Sequence, residues 1–92
     1  MAKEEQALSL QAALELADNH YSENQYSDAE NLCQQILRAY PEQPQALHLL
    51  GMLATKVGNY ELSIDLIGRS VATEPNNASA NYNLGVALQE LG

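Results

Sequence analysis

Apolar side chains recur at intervals of three and four residues in five stretches of the chain. In the first stretch this spacing joins Leu10, Ala13, Leu14, Ala17 and Tyr21, and it is typical of the buried face of an α-helix. Polar residues, glycine or proline separate the stretches. The pattern therefore predicts five helices, at about residues 5–22, 26–39, 45–57, 60–73 and 78–91.

Prolines and a glycine mark the breaks between these helices. Pro41, Pro44 and Pro75 lack an amide donor and disfavour helix in the residue before them. Gly58 tolerates the left-handed geometry that ends a helix, and Asn59 and Asn77 are suited to cap the helices that follow them. Because the connections are short, consecutive helices must run antiparallel. The sequence predicts an all-α fold of helical hairpins.

The same pattern returns every 34 residues. Pro41 and Pro75 are separated by this distance, and equivalent residues at the same spacing are Ala12, Ala46 and Ala80; Leu16, Leu50 and Leu84; and Ala17, Gly51 and Gly85. A repeat of this length is typical of helical hairpins that stack into an array. The period predicts a single domain with repeats at residues 10–43 and 44–77 and a half repeat at residues 78–92.

Small residues at equivalent repeat positions indicate close helix packing. Ala17, Gly51 and Gly85 recur on the first helix of each hairpin, and Ala29 and Ser63 recur on the second. Glycine inside a helix costs about 0.5–1 kcal/mol relative to alanine, so two glycines at one repeat position imply a compensating contact. We expect Ala29 and Ser63 to be the residues that face these small positions.

The second repeat resembles the tetratricopeptide repeat. The residues that carry the resemblance are Leu47, Leu50, Gly51, Gly58, Tyr60, Ser63, Ile67 and Pro75. The first repeat is more degenerate, and the third stops at Gly92, where the turn between helices belongs. The resemblance implies a short right-handed solenoid of two and a half repeats and five helices. It also implies a non-catalytic module that binds a protein or peptide.

The half repeat leaves one side of the last helix without a partner. Gly85 and Leu88 are expected to face a helix that the 92-residue chain does not contain. We therefore expect the chain to be a piece of a longer array. Leu84, Leu88 and Leu91 form an apolar stripe there, which also allows self-association through this helix.

In this family the first helix of each hairpin lines a concave groove that holds an extended peptide or a helix. By resemblance, the groove here, called the predicted groove below, is lined by Gln11, Leu14, Asp18, Tyr21, Gln45, His48, Met52, Thr55, Ser79, Tyr82, Asn83, Val86 and Gln89. Tyr21, His48, Met52 and Tyr82 are the strongest candidates, because tyrosine offers large contact area and methionine adapts to irregular partners.

Two subfamilies can be compared at these positions. Clamps for acidic chaperone C-termini use lysine, asparagine and arginine, whereas the matching positions here are Leu14, Asp18, Leu49, Ser79 and Asn83. Asp18 repels a carboxylate, so this role is not expected. A second resemblance is to the repeats of O-linked N-acetylglucosaminyltransferase-type proteins, whose inner surface carries a ladder of asparagines. Asn83 matches that ladder, but Glu15 and Leu49 stand at the equivalent positions.

Charge and composition exclude several partners. The chain has four basic and twelve acidic residues and a net charge of −8, and its basic residues are scattered. Nucleic-acid binding requires a clustered positive surface, and an anionic membrane repels an acidic one. The lone cysteine excludes an internal disulfide, and no apolar run resembles a signal peptide or a membrane span. We expect a cytoplasmic protein.

Catalytic chemistry is not expected in these residues. His20 and His48 have no second ligand at the spacing that a zinc site favours, and Cys33 has no basic neighbour in sequence to activate it. No phosphate-binding glycine loop occurs, and no cofactor is implied. Three hypotheses remain open: a peptide-binding module, the recruiting segment of a larger enzyme such as a glycosyltransferase, and a self-assembling scaffold.

Overall fold

The computed structural model describes residues 9–92 of the chain. Within this range lie five α-helices and no strand: α1 (Leu10–Ser22), α2 (Tyr26–Ala39), α3 (Pro44–Lys56), α4 (Tyr60–Thr73) and α5 (Ala78–Leu91). The predicted all-α class is confirmed. The observed bounds of α2, α4 and α5 agree with the predicted ones residue for residue.

The 34-residue period extends to the helix caps. Ser9, Gln43 and Asn77 precede α1, α3 and α5, and each side-chain oxygen accepts a hydrogen bond from the amide three residues later. The donor–acceptor distances are 3.1, 2.9 and 3.1 Å. Such a bond satisfies one of the amides that the first helical turn leaves without a partner. Equivalent caps therefore set the starts of the three first helices.

The limits of α1 and α3 differ from the prediction. α3 begins at Pro44 rather than one residue later, because proline has no amide to lose at the first helical position and its φ angle suits a helix. α3 also ends at Lys56, so Val57, predicted to face inward, lies in the turn and is 80% exposed. α1 begins at Leu10, and its predicted start at residue 5 lies outside the described residues.

The turn inside each hairpin also repeats. Asn24 and Gly58 are the residues with left-handed backbone, at φ of 63° and 79°. In each hairpin the amide of the next residue donates to a carbonyl five residues earlier, at 2.8 Å in the first and 2.9 Å in the second. Asparagine tolerates this geometry better than other residues with a side chain, which explains why the two positions are equivalent. These turns reverse the chain within three residues between the helices.

Each helix packs against its neighbours in sequence, and α1, α3 and α5 lie side by side. The molecule is elongated, measuring 53 × 25 × 19 Å. Buried residues from α1, α2 and α3 form the clusters Ala13–Leu14–Ile36–Ala46 and Ala17–Cys33–Leu49. The core therefore runs along the stack, and it places α1, α3 and α5 on one common surface.

The small residue at Gly51 meets a different partner from the expected one. A Cβ atom at Gly51 would overlap Cγ1 of Ile67 and would lie 3.1 Å from its Cδ1. Ser63, predicted to face this position, instead hydrogen bonds through its hydroxyl to the Thr55 hydroxyl at 2.7 Å. The register of the hairpin places the fully buried Ile67 against the glycine. Close packing at Gly51 is confirmed, but the expected pairing with Ser63 is wrong.

Candidate peptide-binding groove

The residues of the predicted groove all lie on α1, α3 and α5, the three helices that run side by side. The structure leaves Gln11, Asp18, Gln45, Ser79, Tyr82 and Gln89 exposed. It half-buries Tyr21, His48, Met52, Thr55, Asn83 and Val86. Tyr82, at 72% exposure, is the most exposed large side chain of this set.

Leu14 is not available to a ligand. It is buried among Ala13, Ile36 and Ala46, where α1, α2 and α3 meet, so its assignment to the predicted groove is corrected. Leu49, compared above with groove positions of other subfamilies, is also buried and packs with the cluster of Ala17 and Cys33. Both leucines face neighbouring helices rather than solvent.

A polar contact joins α3 to α5 within the predicted groove. Nδ2 of Asn83 lies 2.9 Å from Nε2 of His48, so the amide donates to the imidazole when the ring is neutral and carries its proton on Nδ1. Burial lowers the pKa of His48, and the negative charge of Asp18 opposes this only in part. The neutral ring is therefore favoured near pH 7, in the state that accepts this hydrogen bond.

Acidification is expected to destabilise the fold through His48. Its folded-state pKa lies below the ordinary value of 6.5, so the unfolded chain binds more protons as the pH falls. The stability linked to the neutral ring is complete above the unfolded pKa and is lost as the pH falls through it toward the folded value. We expect Tm to decrease between about pH 7 and pH 5.5, and to decrease less in His48→Gln. Equal decreases in the two proteins would contradict this role.

Two tyrosines and a lysine lie together at one end of the predicted groove. The rings of Tyr21 and Tyr26 pack edge to face with centroids 5.5 Å apart. Nζ of Lys56 lies 5.6 Å from the first centroid and 5.4 Å from the second, within the range of a cation–π contact. This group joins α1, α2 and α3. It was not predicted, because the three residues belong to different repeats and share no sequence motif.

Comparison with known proteins accounts for the repeat. The family model described as tetratricopeptide repeat (TPR) matches residues 14–67 and, in a second overlapping match, residues 48–92. The chain belongs to the TPR family. Both matches include α3 and most of α4, and between them they reach from α1 to the end of α5. TPR arrays are generally protein-interaction modules, and the repeats are typically not catalytic themselves.

Two solved structures resemble this TPR chain closely. A mutant of the Thermobaculum terrenum O-GlcNAc transferase superposes with a TM-score of 0.83 and 38% sequence identity over 86% of this chain. The C-terminal TPR-containing domain of a Plasmodium falciparum protein named as an FK506-binding protein gives a TM-score of 0.81 at 20% identity over 89% of this chain. The chain spans 15% of the first structure's length and 54% of the second's. No curated protein matches it.

A separate cleft lies outside the predicted groove of the TPR array. It has a volume of about 560 Å³, and its walls are formed by α2 and α4 with α3 between them. Leu50, Leu53 and Leu66 contribute apolar surface, while Val57 and the 44% exposed Leu62 stand at its solvent side. The cleft shares no residue with the predicted groove. Sequence reasoning missed it, although an unburied Leu62 on an otherwise regular helix is a signal.

The remaining reactive side chains of the TPR array have structural surroundings. Cys33 is fully buried, and burial together with the charges of Asp18 and Glu30 raises its pKa to about 12, so the thiol stays protonated. His20 is half-buried, and its Nδ1 lies 2.6 Å from Oε1 of Gln25 across the turn. Among residues 9–92 no three histidine, cysteine or acidic side chains gather as they would around a metal ion. In the same range no helix is long and apolar enough to cross a bilayer.

Proposed function

We propose that this TPR chain is a non-catalytic interaction module that holds a peptide or a helix in the predicted groove. The observation that carries the proposal is the 72% exposure of Tyr82 beside the polar pair of His48 and Asn83. A tyrosine in this setting offers a large amphipathic contact surface at little entropic cost, as the aromatic anchors of interfaces do. Met52, half-buried on the neighbouring helix, adds a side chain that adapts to its partner.

Charge narrows the class of peptide. Asp18 is the one charged residue among those assigned to the predicted groove, and the chain as a whole carries a net charge of −8. An acidic peptide is repelled by both, whereas a neutral or basic peptide is not. The amides of Gln11, Gln45 and Gln89 donate and accept hydrogen bonds and are suited to a peptide backbone. The expected ligand is therefore a neutral or basic segment with an apolar side chain that meets Tyr82.

The proposal is tested with a peptide selected on the 92-residue chain from a random-sequence library. Truncating an anchor at an interface typically reduces affinity several-fold or more, so Tyr82→Ala and Met52→Ala are each expected to raise Kd by about tenfold. The matched control is Leu62→Ala, which removes an exposed side chain from the cleft between α2 and α4. Isothermal titration calorimetry measures the three affinities, and circular dichroism checks that helicity is retained.

The result distinguishes two surfaces. Reduced affinity in the tyrosine and methionine variants with an unchanged control supports the predicted groove. Unchanged binding by both Tyr82→Ala and Met52→Ala would reject it. Loss of affinity in Leu62→Ala alone would assign the peptide to the cleft instead.

A second candidate function is recruitment by a larger enzyme. It is favoured by the 38% identity to an O-GlcNAc transferase structure over most of the chain. On this hypothesis the array is a piece of a longer protein and presents substrates to a glycosyltransferase domain elsewhere in the polypeptide. Sequencing the parent gene past the codon for Gly92 tests it directly. Further repeats followed by a catalytic domain would support recruitment, and a stop codon there would reject it.

We also propose self-association through the α5 outer face, which consists of Leu84, Gly85, Leu88 and Leu91. Leu88 and Leu91 are each 51% exposed, and exposed leucines grouped on one face favour association. Sedimentation equilibrium at increasing concentration tests this proposal. A mass that rises with concentration supports it, and a constant monomer mass contradicts it.

The domain limits and the compartment belong to the same proposal. We assign one domain with repeats at residues 10–43 and 44–77 and a half repeat at 78–92, in accord with the pairs α1–α2 and α3–α4 followed by α5. We assign the protein to the cytoplasm, where a free thiol such as that of Cys33 stays reduced.

A further inference from the structure

The α5 outer face has a notch at its centre. A Cβ atom placed on Gly85 would meet nothing within 4 Å, whereas the same test at Gly51, 34 residues earlier, meets Ile67. The two glycines occupy equivalent repeat positions on α5 and α3. The notch at Gly51 is filled by a helix that lies across it, and the notch at Gly85 is open within residues 9–92.

The α3–α4 hairpin shows how a helix fills such a notch. Ile67 of α4 lies against Gly51, with its Cδ1 3.1 Å from the position of an added Cβ. One turn further along α3, Thr55 contacts Ser63, which lies one turn back along α4. The two helices are thus antiparallel, and an apolar side chain of one stands opposite the glycine of the other. An occupant of the α5 outer face needs an apolar side chain in the same relation to Gly85.

α5 itself carries that side chain. Leu88 is 51% exposed and lies three residues from Gly85, on the same face of the helix. If two copies of α5 cross antiparallel about a two-fold axis with Leu88 of one opposite Gly85 of the other, the symmetry places the second Leu88 opposite the second Gly85. The face is therefore self-complementary, as a two-fold interface requires. The same register sets Leu84 opposite Gln89 of the partner copy.

Electrostatics permit this pairing despite the net charge of −8. Glu90 is the only charged residue of α5. In the antiparallel register the two Glu90 residues lie two helical turns apart along the axis, or about 10 Å, a separation at which salt screens exposed charges. Each of α1, α2 and α4 carries more charged residues than α5 does. The helix with the open notch is thus also one of the least charged.

We propose that two copies of the chain associate through the α5 outer face in a two-fold antiparallel pair, in which each Leu88 inserts into the notch at Gly85 of the other. This inference rests on the self-association proposed above and adds its register. The occupant is a second copy because α5 supplies both the notch and the side chain that fits it.

Exchanging the two residues tests the register. Gly85→Leu fills the notch and opposes two leucines, and Leu88→Gly removes the inserted side chain, so each is expected to weaken association at least tenfold. In Gly85→Leu/Leu88→Gly the leucine and the notch change places and face each other again, so the dimer is expected to return to within about threefold of the original Kd. Asn31→Ala, exposed on α2, is the control. Sedimentation equilibrium measures the Kd values, and circular dichroism confirms helicity.

The outcomes separate the two proposals. A chain that remains monomeric at about 1 mM overturns self-association and the register together, since 1 mM corresponds to a negligibly weak dimer. A dimer that the double variant fails to restore overturns the register and leaves self-association standing. A monomer that binds a synthetic peptide of residues 60–73, the sequence of α4, assigns the face to a foreign helix and overturns the second copy as occupant. Loss in both single variants with recovery in the double variant supports the proposal.

Discussion

Ile67→Ala is expected to lower the free energy of unfolding by about 2–5 kcal/mol. Ile67 is fully buried and is one of the largest side chains so enclosed. Its truncation leaves a cavity opposite Gly51, which has no side chain to occupy the space. Because a domain of this size is stable by only about 5–15 kcal/mol, the loss is a large fraction of the total. Urea denaturation followed by circular dichroism measures it.

A leucine on the same helix provides the control for this loss. Leu62 is 44% exposed, so Leu62→Ala removes a similar volume without leaving an enclosed cavity. Its cost is expected to stay below about 1 kcal/mol. If the two truncations destabilised the chain equally, the assignment of Ile67 to the core between α3 and α4 would be wrong.

Gly51→Ala is expected to destabilise the chain by about 1–3 kcal/mol, although alanine is the better helix former. The new methyl group would overlap Cγ1 of Ile67 and lie 3.4 Å from its backbone nitrogen, so the helices must separate or the isoleucine must leave its position. Gly85→Ala is the matched control. Nothing lies within 4 Å of its added Cβ, so this variant is expected to gain about 0.5–1 kcal/mol.

A double-mutant cycle isolates the cause. If the methyl group at Gly51 is excluded by Ile67 alone, then Gly51→Ala is no longer destabilising in the Ile67→Ala background. The two changes are therefore expected to be non-additive by about 1–3 kcal/mol, as is common for residues in contact. Additive effects would show that the glycine is required for another reason. Thermal and urea denaturation of the four proteins of the cycle provide the comparison.

The helices could be predicted because local signals and the period agree. α2 and α4 follow turns that require Asn24 or Gly58, and α5 follows an asparagine cap, so their limits depend on residues close in sequence. The start of α3 was displaced by one residue because Pro44 was interpreted only as a helix breaker, whereas proline at the first helical position is favourable. Both effects are local, but they have opposite consequences for the same residue type.

The groove was less predictable because equivalent repeat positions have different neighbours. Glu15, Leu49 and Asn83 share one position, which faces the preceding first helix of the array. Glu15 is exposed, since no helix precedes α1 within residues 9–92, while Leu49 packs on Ala17 and Asn83 contacts His48. The period identifies the position, but the contacts depend on which helix comes before it. The burial of Leu14 between α1, α2 and α3 has the same cause: packing across repeats.

The cleft between α2 and α4 could not be obtained from the period at all. It exists because these second helices do not contact each other, while each packs against α3. Its depth depends on the spacing of the hairpins, which is set by the side chains between them rather than by any residue of the cleft. The exposed Val57 and Leu62 follow from this spacing.

The central claim is that a peptide binds on α1, α3 and α5, and nuclear magnetic resonance tests it most directly. Amide resonances of the ¹⁵N-labelled chain are followed while the library-selected peptide is added. The account predicts that the largest shifts occur at Met52, Tyr82 and Asn83, on the surface that α3 and α5 share. Shifts concentrated at Val57 and Leu62, in the cleft, would contradict it.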